Sequence, residues 1–218
     1  MQNDWRLWLQ QARLYAIIDT GYLRERSVTF YAKELVKGGA HVIQLRAKKE
    51  SLQQVEAMAK AIHEITQEAK IPLILNDYVE LAAKLNLEGV HVGQEDMPLH
   101  EVRKKMPVPA VLGKSTHSLN QAITAQEEKP DYIGFGPLFA TPTKPAYQPI
   151  GLDLIQNVHQ QVDIPIFCIG GVKLENLKTI LQAGAKRVVA VSGIMQAASP
   201  SDYCLQLNET LSRFPLSS

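Results

Sequence analysis

Residues Thr29–Lys48 read TFYAKELVKGGAHVIQLRAK. Thr29–Lys37 spaces its apolar side chains as one face of a helix. Gly38-Gly39-Ala40 ends that helix. His41–Leu45 is then an apolar run of strand length, and the chain leaves it through the polar cluster Gln44-Leu45-Arg46-Ala47-Lys48. The unit of helix, turn, buried strand and polar exit recurs along the chain. The spacing predicts strands over Leu14–Ile18, His41–Leu45, Pro72–Leu75, Gly89–Val92, Ala110–Leu112, Tyr132–Phe135, Ile164–Cys168 and Arg187–Val191. They are short and rich in Val and Ile, as strands buried on both faces are. Between them lie helical patterns at Thr29–Lys37, Leu52–Glu68, Val79–Leu85, Leu99–Lys105, Leu119–Glu127, Leu152–Gln160, Leu174–Gln182 and Ser201–Leu211. Strict alternation implies a parallel sheet with right-handed crossovers. Eight units close it into a (β/α)8 TIM barrel, where five or six would leave an open sheet.

The bulk numbers agree. A chain of 218 residues suffices for one such barrel, and 45% apolar with 21% charged residues suits a globular domain. We expect one domain over 1–218, with an N-terminal helix at 1–12 and the barrel at 13–213. A net charge of +1 gives no bulk attraction to nucleic acid or to a membrane surface, so anionic ligands would need local cations. Cys168 and Cys204 set no disulfide framework and read as reduced and buried, which suits a cytoplasmic protein. Residues 1–11 lack the unbroken apolar core of a signal peptide. They read as an amphipathic helix whose Trp5 and Trp8 would cover the barrel bottom or a partner, leaving a monomer or a small homo-oligomer. Gly38-Gly39-Ala40, Leu87-Glu88-Gly89 and Ala183-Gly184-Ala185 read as bottom-face turns in which glycine supplies a left-handed helix cap.

A barrel of this kind builds its site just past the C-terminal ends of its strands. Asp77 follows the third strand and Asp96 the fourth. Neighbouring strands lie roughly 5 Å apart, so the two carboxylates can share one volume and suit a hard cation such as Mg²⁺. The alternative makes each a helix N-cap, ahead of Val79 and Leu99 respectively. Arg46 and Lys48 leave the second strand two residues apart. Lys144 lies in the connection from Gly136 to Leu152, which holds four prolines and two threonines. A connection that long is usually functional, and this one is the candidate lid. Acids and cations together describe a pyrophosphate site; as unrelated surface charges they would describe nothing. Gly170-Gly171 and Val191-Ser192-Gly193 follow the seventh and eighth strands, where barrels commonly bind a phosphate through backbone N–H groups. Two anionic ligands in one mouth suggest transfer of a group between them. Among the histidines, His91 reads as wall packing, and His63, His100 and His159 as exposed or satisfied helix residues. His117 alone stands near the mouth, where it could act as an acid or base.

These residues resemble a known family. The segments Gln44-x-Arg46-x-Lys48, Asn76-Asp77, Gly89-Val-His91-Val-Gly93-Gln94-Glu95-Asp96, Gly113-x-Ser115-Thr-His117-Ser118, Asp131-Tyr-x-Gly-x-Gly136-Pro137-x-Phe139-x-Thr141-x-Thr143-Lys144 and Gly170-Gly171 are similar to those of the thiamine-phosphate synthases. The resemblance spans about Leu14 to Gly193. It implies condensation of a hydroxymethylpyrimidine diphosphate with a thiazole phosphate, giving thiamine phosphate and pyrophosphate. By resemblance, Arg46, Lys48, Asn76 and Lys144 hold the pyrophosphate, and Asp77 and Asp96 hold Mg²⁺. Gln44 contacts the pyrimidine, and Ser115 bonds near the leaving group. Thr141, Thr143, Gly171 and the Val191–Ser192 backbone take the thiazole phosphate. Ser115, Lys144 and Arg46 are the implied catalytic groups. Two positions depart from the pattern: Lys114 stands where a small apolar residue is usual, and Tyr78 where arginine is common.

Two other readings share the barrel. A thiazole tautomerase would use His117 as its acid–base group, and a non-catalytic regulator would only bind thiamine precursors. Asp96→Asn separates the three. We expect synthase turnover to fall by orders of magnitude with circular dichroism unchanged. Turnover equal to the parent's would remove Asp96 from the metal site, and precursor binding without turnover in either form would mark a binder.

Overall fold

The computed structural model describes residues 4–141 and 148–216. Eight strands form a closed barrel: β1 Leu14–Asp19, β2 Val42–Arg46, β3 Leu73–Asn76, β4 Gly89–Val92, β5 Val111–Thr116, β6 Tyr132–Phe135, β7 Ile166–Cys168 and β8 Arg187–Ala190. Each runs parallel to the next, and β1 closes the ring against β8 through Leu14↔Val188, Tyr15↔Val189 and Ala16↔Ala190. Strand alternation sorts the side chains. Leu14, Ala16 and Ile18 face the helices, while Tyr15 and Ile17 face inward with Val42, Ile74, Val111, Phe167 and Val189.

The helices follow in order. They are α1 Trp5–Gln11, α2 Val28–Lys37, α3 Leu52–Glu68, α4 Val79–Lys84, α5 Leu99–Lys105, α6 Leu119–Glu127, α7 Leu154–Gln161, α8 Leu174–Gln182, α9 Ser192–Met195 and α10 Pro200–Ser212. Ser27, Ser51 and Ser118 cap α2, α3 and α6 through their hydroxyls.

Three expectations need correction. The fifth strand runs on through Gly113–Thr116, because those residues pair with Tyr132–Phe135 of β6, so Ser115 lies inside the strand rather than beyond it. The four-residue α9 directly after β8 was not foreseen. At the turn into β4 the left-handed residue is Asn86 (φ 50°), and Gly89 is already the first strand residue.

The start of the chain seals the barrel floor. Asp4 caps α1 by accepting from the Arg6 and Leu7 amides. Leu9 is 1% exposed and packs into the inward-facing cluster with Tyr15, Tyr132 and Phe167. Polar bonds fix the rim: Trp8 Nε1 donates to the His41 carbonyl (2.7 Å), Arg187 Nη2 to the Gln10 carbonyl (2.8 Å), and Arg6 pairs with Asp131 (2.8 Å). Burying one leucine is worth about 1.5–3 kcal/mol, so this short helix is held by its docking rather than by its own propensity.

Leu9→Ala should therefore cost about 2–4 kcal/mol in urea unfolding, the usual range for a buried leucine. Leu7→Ala, at a side chain 66% exposed, should stay within about 0.5 kcal/mol. Equal effects at the two positions would mean that α1 is not part of the core.

Candidate active site

The strands open at their C-terminal ends into a cavity of about 850 Å³, counting its open mouth. Its wall includes Gln44 and Arg46 from β2, Asn76 from β3 and Ser115 from β5. On the far side it is lined by Thr141, Gly171, Val191 and Ser192. Sequence reasoning therefore brought these eight residues to one place. Thr143 and Lys144 lie outside the described residues.

Lys48, Asp77 and Asp96 stand just beyond this wall. Lys48 forms an ion pair with Asp77. Asp77 sits in the left-handed region at φ 69°, and Asp96 Oδ2 accepts from the Gly93 amide at 2.6 Å. The N-cap reading fails: α4 and α5 are capped by Tyr78 and Pro98, neither with a side-chain bond. Burial, the largest cause, raises the Asp77 carboxyl above its ordinary 3.8; Lys48 opposes this, and the neighbouring Asp96 charge adds to it. Asp77 is partly buried and Asp96 is exposed at the rim, and two carboxylates whose charges repel fit a hard divalent cation. Among the described residues no three His, Cys, Asp or Glu side chains form a metal group, so the remaining ligands would come from water and substrate oxygens.

Arg46 is held by a partner that the sequence analysis passed over. Its Nη1 lies 2.7 Å from Asp19 Oδ2, and Asp19 also accepts from the Gly21 amide at 2.9 Å. The signal was present: a carboxylate ends the first apolar run, as Asp77 follows the third. Gln94 Nε2 donates to the Ser115 carbonyl at 2.5 Å and so ties the β4 exit to β5.

His91 was assigned to wall packing, yet it lines the cavity. Its Nε2 is 2.9 Å from Ser115 Oγ and its Nδ1 is 3.0 Å from the Tyr132 hydroxyl. Period-two alternation places an inward strand residue there, whereas the run itself looks uniformly apolar. His117 lines the cavity too, with Nδ1 2.6 Å from the Gly136 carbonyl, to which it donates. Of the helix histidines, His63 meets Glu88 at 3.0 Å and His100 meets Glu101 at 3.1 Å. His159 corrects the expectation. Its Nε2 is buried with no partner among the described residues, and burial, aided by Lys186 and Arg187, pushes its pKa down to about 4.

The two departures are structural. Lys114 points away from the cavity, opposite Ser115, and pairs with Glu128 beyond α6. Tyr78 donates from its hydroxyl to the Ala47 carbonyl at 3.1 Å, linking the exits of β3 and β2. Both cysteines are buried, and burial pushes each thiol up to about 12. No helix among the described residues is long and apolar enough to cross a membrane.

At the last two strands the chain approaches itself closely. Gly170 and Gly171 take φ of 99° and 70°, and a Cβ on either would collide with Pro137 or Phe139. Asn176 Nδ2 donates to the Gly171 carbonyl at 2.9 Å, and the Tyr203 hydroxyl accepts from the Leu174 amide at 3.0 Å. The exits of the seventh and eighth strands are where barrels commonly take a phosphate against backbone N–H groups.

A mouth with cations and carboxylates on one side and glycine backbone on the other belongs to the phosphate-handling (β/α)8 barrel enzymes. Comparison narrows that class. The sequence pattern of the family described as thiamine monophosphate synthase matches residues 14–194. The thiamine-phosphate synthase of Chloroflexus aurantiacus is 39% identical over 201 residues, 92% of this chain and 93% of that protein. That of Halalkalibacterium halodurans is 36% identical over 197 residues, 90% and 93% of the two chains. The solved thiamine phosphate pyrophosphorylase of Pyrococcus furiosus superposes with a TM-score of 0.86 at 27% identity, covering 97% of this chain and 99% of its own. The chain belongs to the thiamine monophosphate synthase family and is a transferase that forms thiamine phosphate.

The raised Asp77 carboxyl has a measurable sign. A folded-state pKa above the unfolded 3.8 means that the ionised form costs stability. The cost is absent below 3.8 and grows as pH rises through the folded value. Asp77→Asn should therefore raise the thermal midpoint at neutral pH and lose that gain below pH 3.8. A gain of equal size at both pH values would contradict the assignment.

Proposed function

We propose that the cavity joins a hydroxymethylpyrimidine diphosphate to a thiazole phosphate with loss of pyrophosphate. The reading is supported above all by one observation: Gln44, Arg46, Asn76 and Ser115 share a single cavity with Gly171, Val191 and Ser192. One ligand carries its charge beside the cations, the other beside the glycines, and the reacting atoms meet between them.

In this reading the bond between the pyrimidine methylene and the diphosphate oxygen breaks first, and its electron pair leaves with the diphosphate. Arg46 and Lys48 receive the charge that develops there, helped by Asn76 and, outside the described residues, by Lys144. The thiazole nitrogen then donates its lone pair to the methylene carbon. Thr141, Thr143, Gly171 and the Val191–Ser192 backbone hold the thiazole phosphate so that the nitrogen faces that carbon. Gln44 orients the pyrimidine ring. Asp77 and Asp96 would hold Mg²⁺, which when bound supplies further neutralisation of the diphosphate. No protein nucleophile is required, since the barrier lies in charge separation.

The test is product formation. Purified protein is mixed with both precursors and Mg²⁺, and thiamine phosphate and pyrophosphate are quantified beside an EDTA control. Equal amounts of both products, abolished by EDTA and restored by added Mg²⁺, are expected. Products that persist in EDTA would remove the metal assignment. Intact precursors throughout would turn attention to His117 and a tautomerase.

A further inference from the structure

Five polar side chains form one hydrogen-bonded chain across the barrel interior. Gln44 Nε2 donates to the Tyr15 hydroxyl at 2.7 Å. The Tyr15 and Tyr132 hydroxyls are 2.9 Å apart, the Tyr132 hydroxyl is 3.0 Å from His91 Nδ1, and His91 Nε2 is 2.9 Å from Ser115 Oγ. The five come from five strands and all line the cavity. Each is at most 9% exposed, so the polar atoms must satisfy one another. Close approach is built in: a Cβ on Gly113 would overlap both the Tyr132 ring and His91 Nδ1.

A chain of this kind has a direction, because a phenol has one proton to give. Burial raises the pKa of Tyr15 and of Tyr132 well above the ordinary value, so both keep that proton. In the direction that gives both buried phenol protons an acceptor within the chain, the Gln44 amide donates to Tyr15, Tyr15 to Tyr132, and Tyr132 to His91 Nδ1. The imidazole then carries its proton on Nε2 and gives it to Ser115 Oγ. The Ser115 proton is left for whatever lies in the cavity.

We propose that this chain sets the polarity of Ser115, presenting its hydroxyl as a donor to a lone-pair acceptor of the ligand, with His91, Tyr132 and Tyr15 as positioning residues. In the pyrimidine diphosphate reading, the acceptor is an unprotonated ring nitrogen or a diphosphate oxygen. That choice of ligand rests on the proposed function; the polarity does not. Reversing the chain would turn Ser115 into an acceptor and favour a protonated or amino group instead.

Nitrogen-15 NMR of the histidine-labelled protein, without ligand, reads the polarity directly. His91 is assigned by the signal lost in His91→Gln. Neutral imidazole protonated on Nε2 is expected, with the same tautomer in Ser115→Ala. In Tyr132→Phe, Nδ1 loses its donor and the Nε2–H preference should weaken. A parent protein protonated on Nδ1 would overturn the proposal. Kinetics supply the second arm. Tyr132→Phe should lower kcat by roughly tenfold, the size of one misdirected hydrogen bond, with KM changed less. In a Ser115→Ala background it should cost nothing more. Additive losses would mean that Tyr132 acts by packing alone and would overturn the proposal; Tyr15→Phe repeats the cycle should Tyr132→Phe fold poorly. The Nε2–H tautomer together with no product from the parent would refute the substrate assignment while supporting the polarity.

Discussion

Tyr15 and Tyr132 meet hydroxyl to hydroxyl in the middle of the barrel, and the molecule divides at that contact. Below it the interior is apolar: Leu9, Val42, Ile74, Val111 and Phe167 fill the ring, and α1 closes the floor. Above it the inward residues are Gln44, Asn76, His91 and Ser115, and the barrel is open. Phenols suit the boundary because one end is a large apolar ring and the other a hydrogen-bonding group. Both tyrosine rings pack edge to face on Phe167 and tilt 56° to each other, with centroids 5.4 to 5.7 Å apart, which keeps the hydroxyls from wandering. A packed floor is what allows a polar mouth, since water reaches the site from one side only.

The mouth is organised by paired charges. Arg46 lies against Asp19 and Lys48 against Asp77. Each pair fixes a long flexible side chain, reducing the ordering cost that an incoming anion would otherwise meet. Such pairs add little to folding, because desolvation offsets most of the attraction. Their value is geometric. Glycines do the equivalent work at the β7 exit, where Gly170 and Gly171 leave the opposite wall without side chains.

The barrel was legible in the sequence because a strand buried on both faces is apolar throughout and its end is marked by the first polar residues. The same rule hid the interior. His91 and Tyr132 lie within such runs, and nothing in a single strand says that an inward residue of one will touch an inward residue of another. The five-residue chain joins β1, β2, β4, β5 and β6, so it exists only once the barrel is closed. Ser115 was found by resemblance but placed beyond its strand, since glycine, lysine and serine look like an exit when the pairing with β6 is unknown. Asp19 was missed because Arg46, its partner, is 27 residues away. The N-terminal helix was legible as amphipathic, but which surface it would cover required the floor to be built.

The floor itself constrains how the chain comes into being. Arg187 reaches back 177 positions to the Gln10 carbonyl, and β8 must dock beside β1 before the ring is complete. On the ribosome α1 emerges well before the strands it packs against, and its seat is complete only once β8 has followed. Its apolar face, Leu9 included, lacks its full set of native partners throughout that interval. Non-local closure of this kind slows folding and lengthens exposure to aggregation. The contacts that seal the floor thus wait on the strands furthest along the chain.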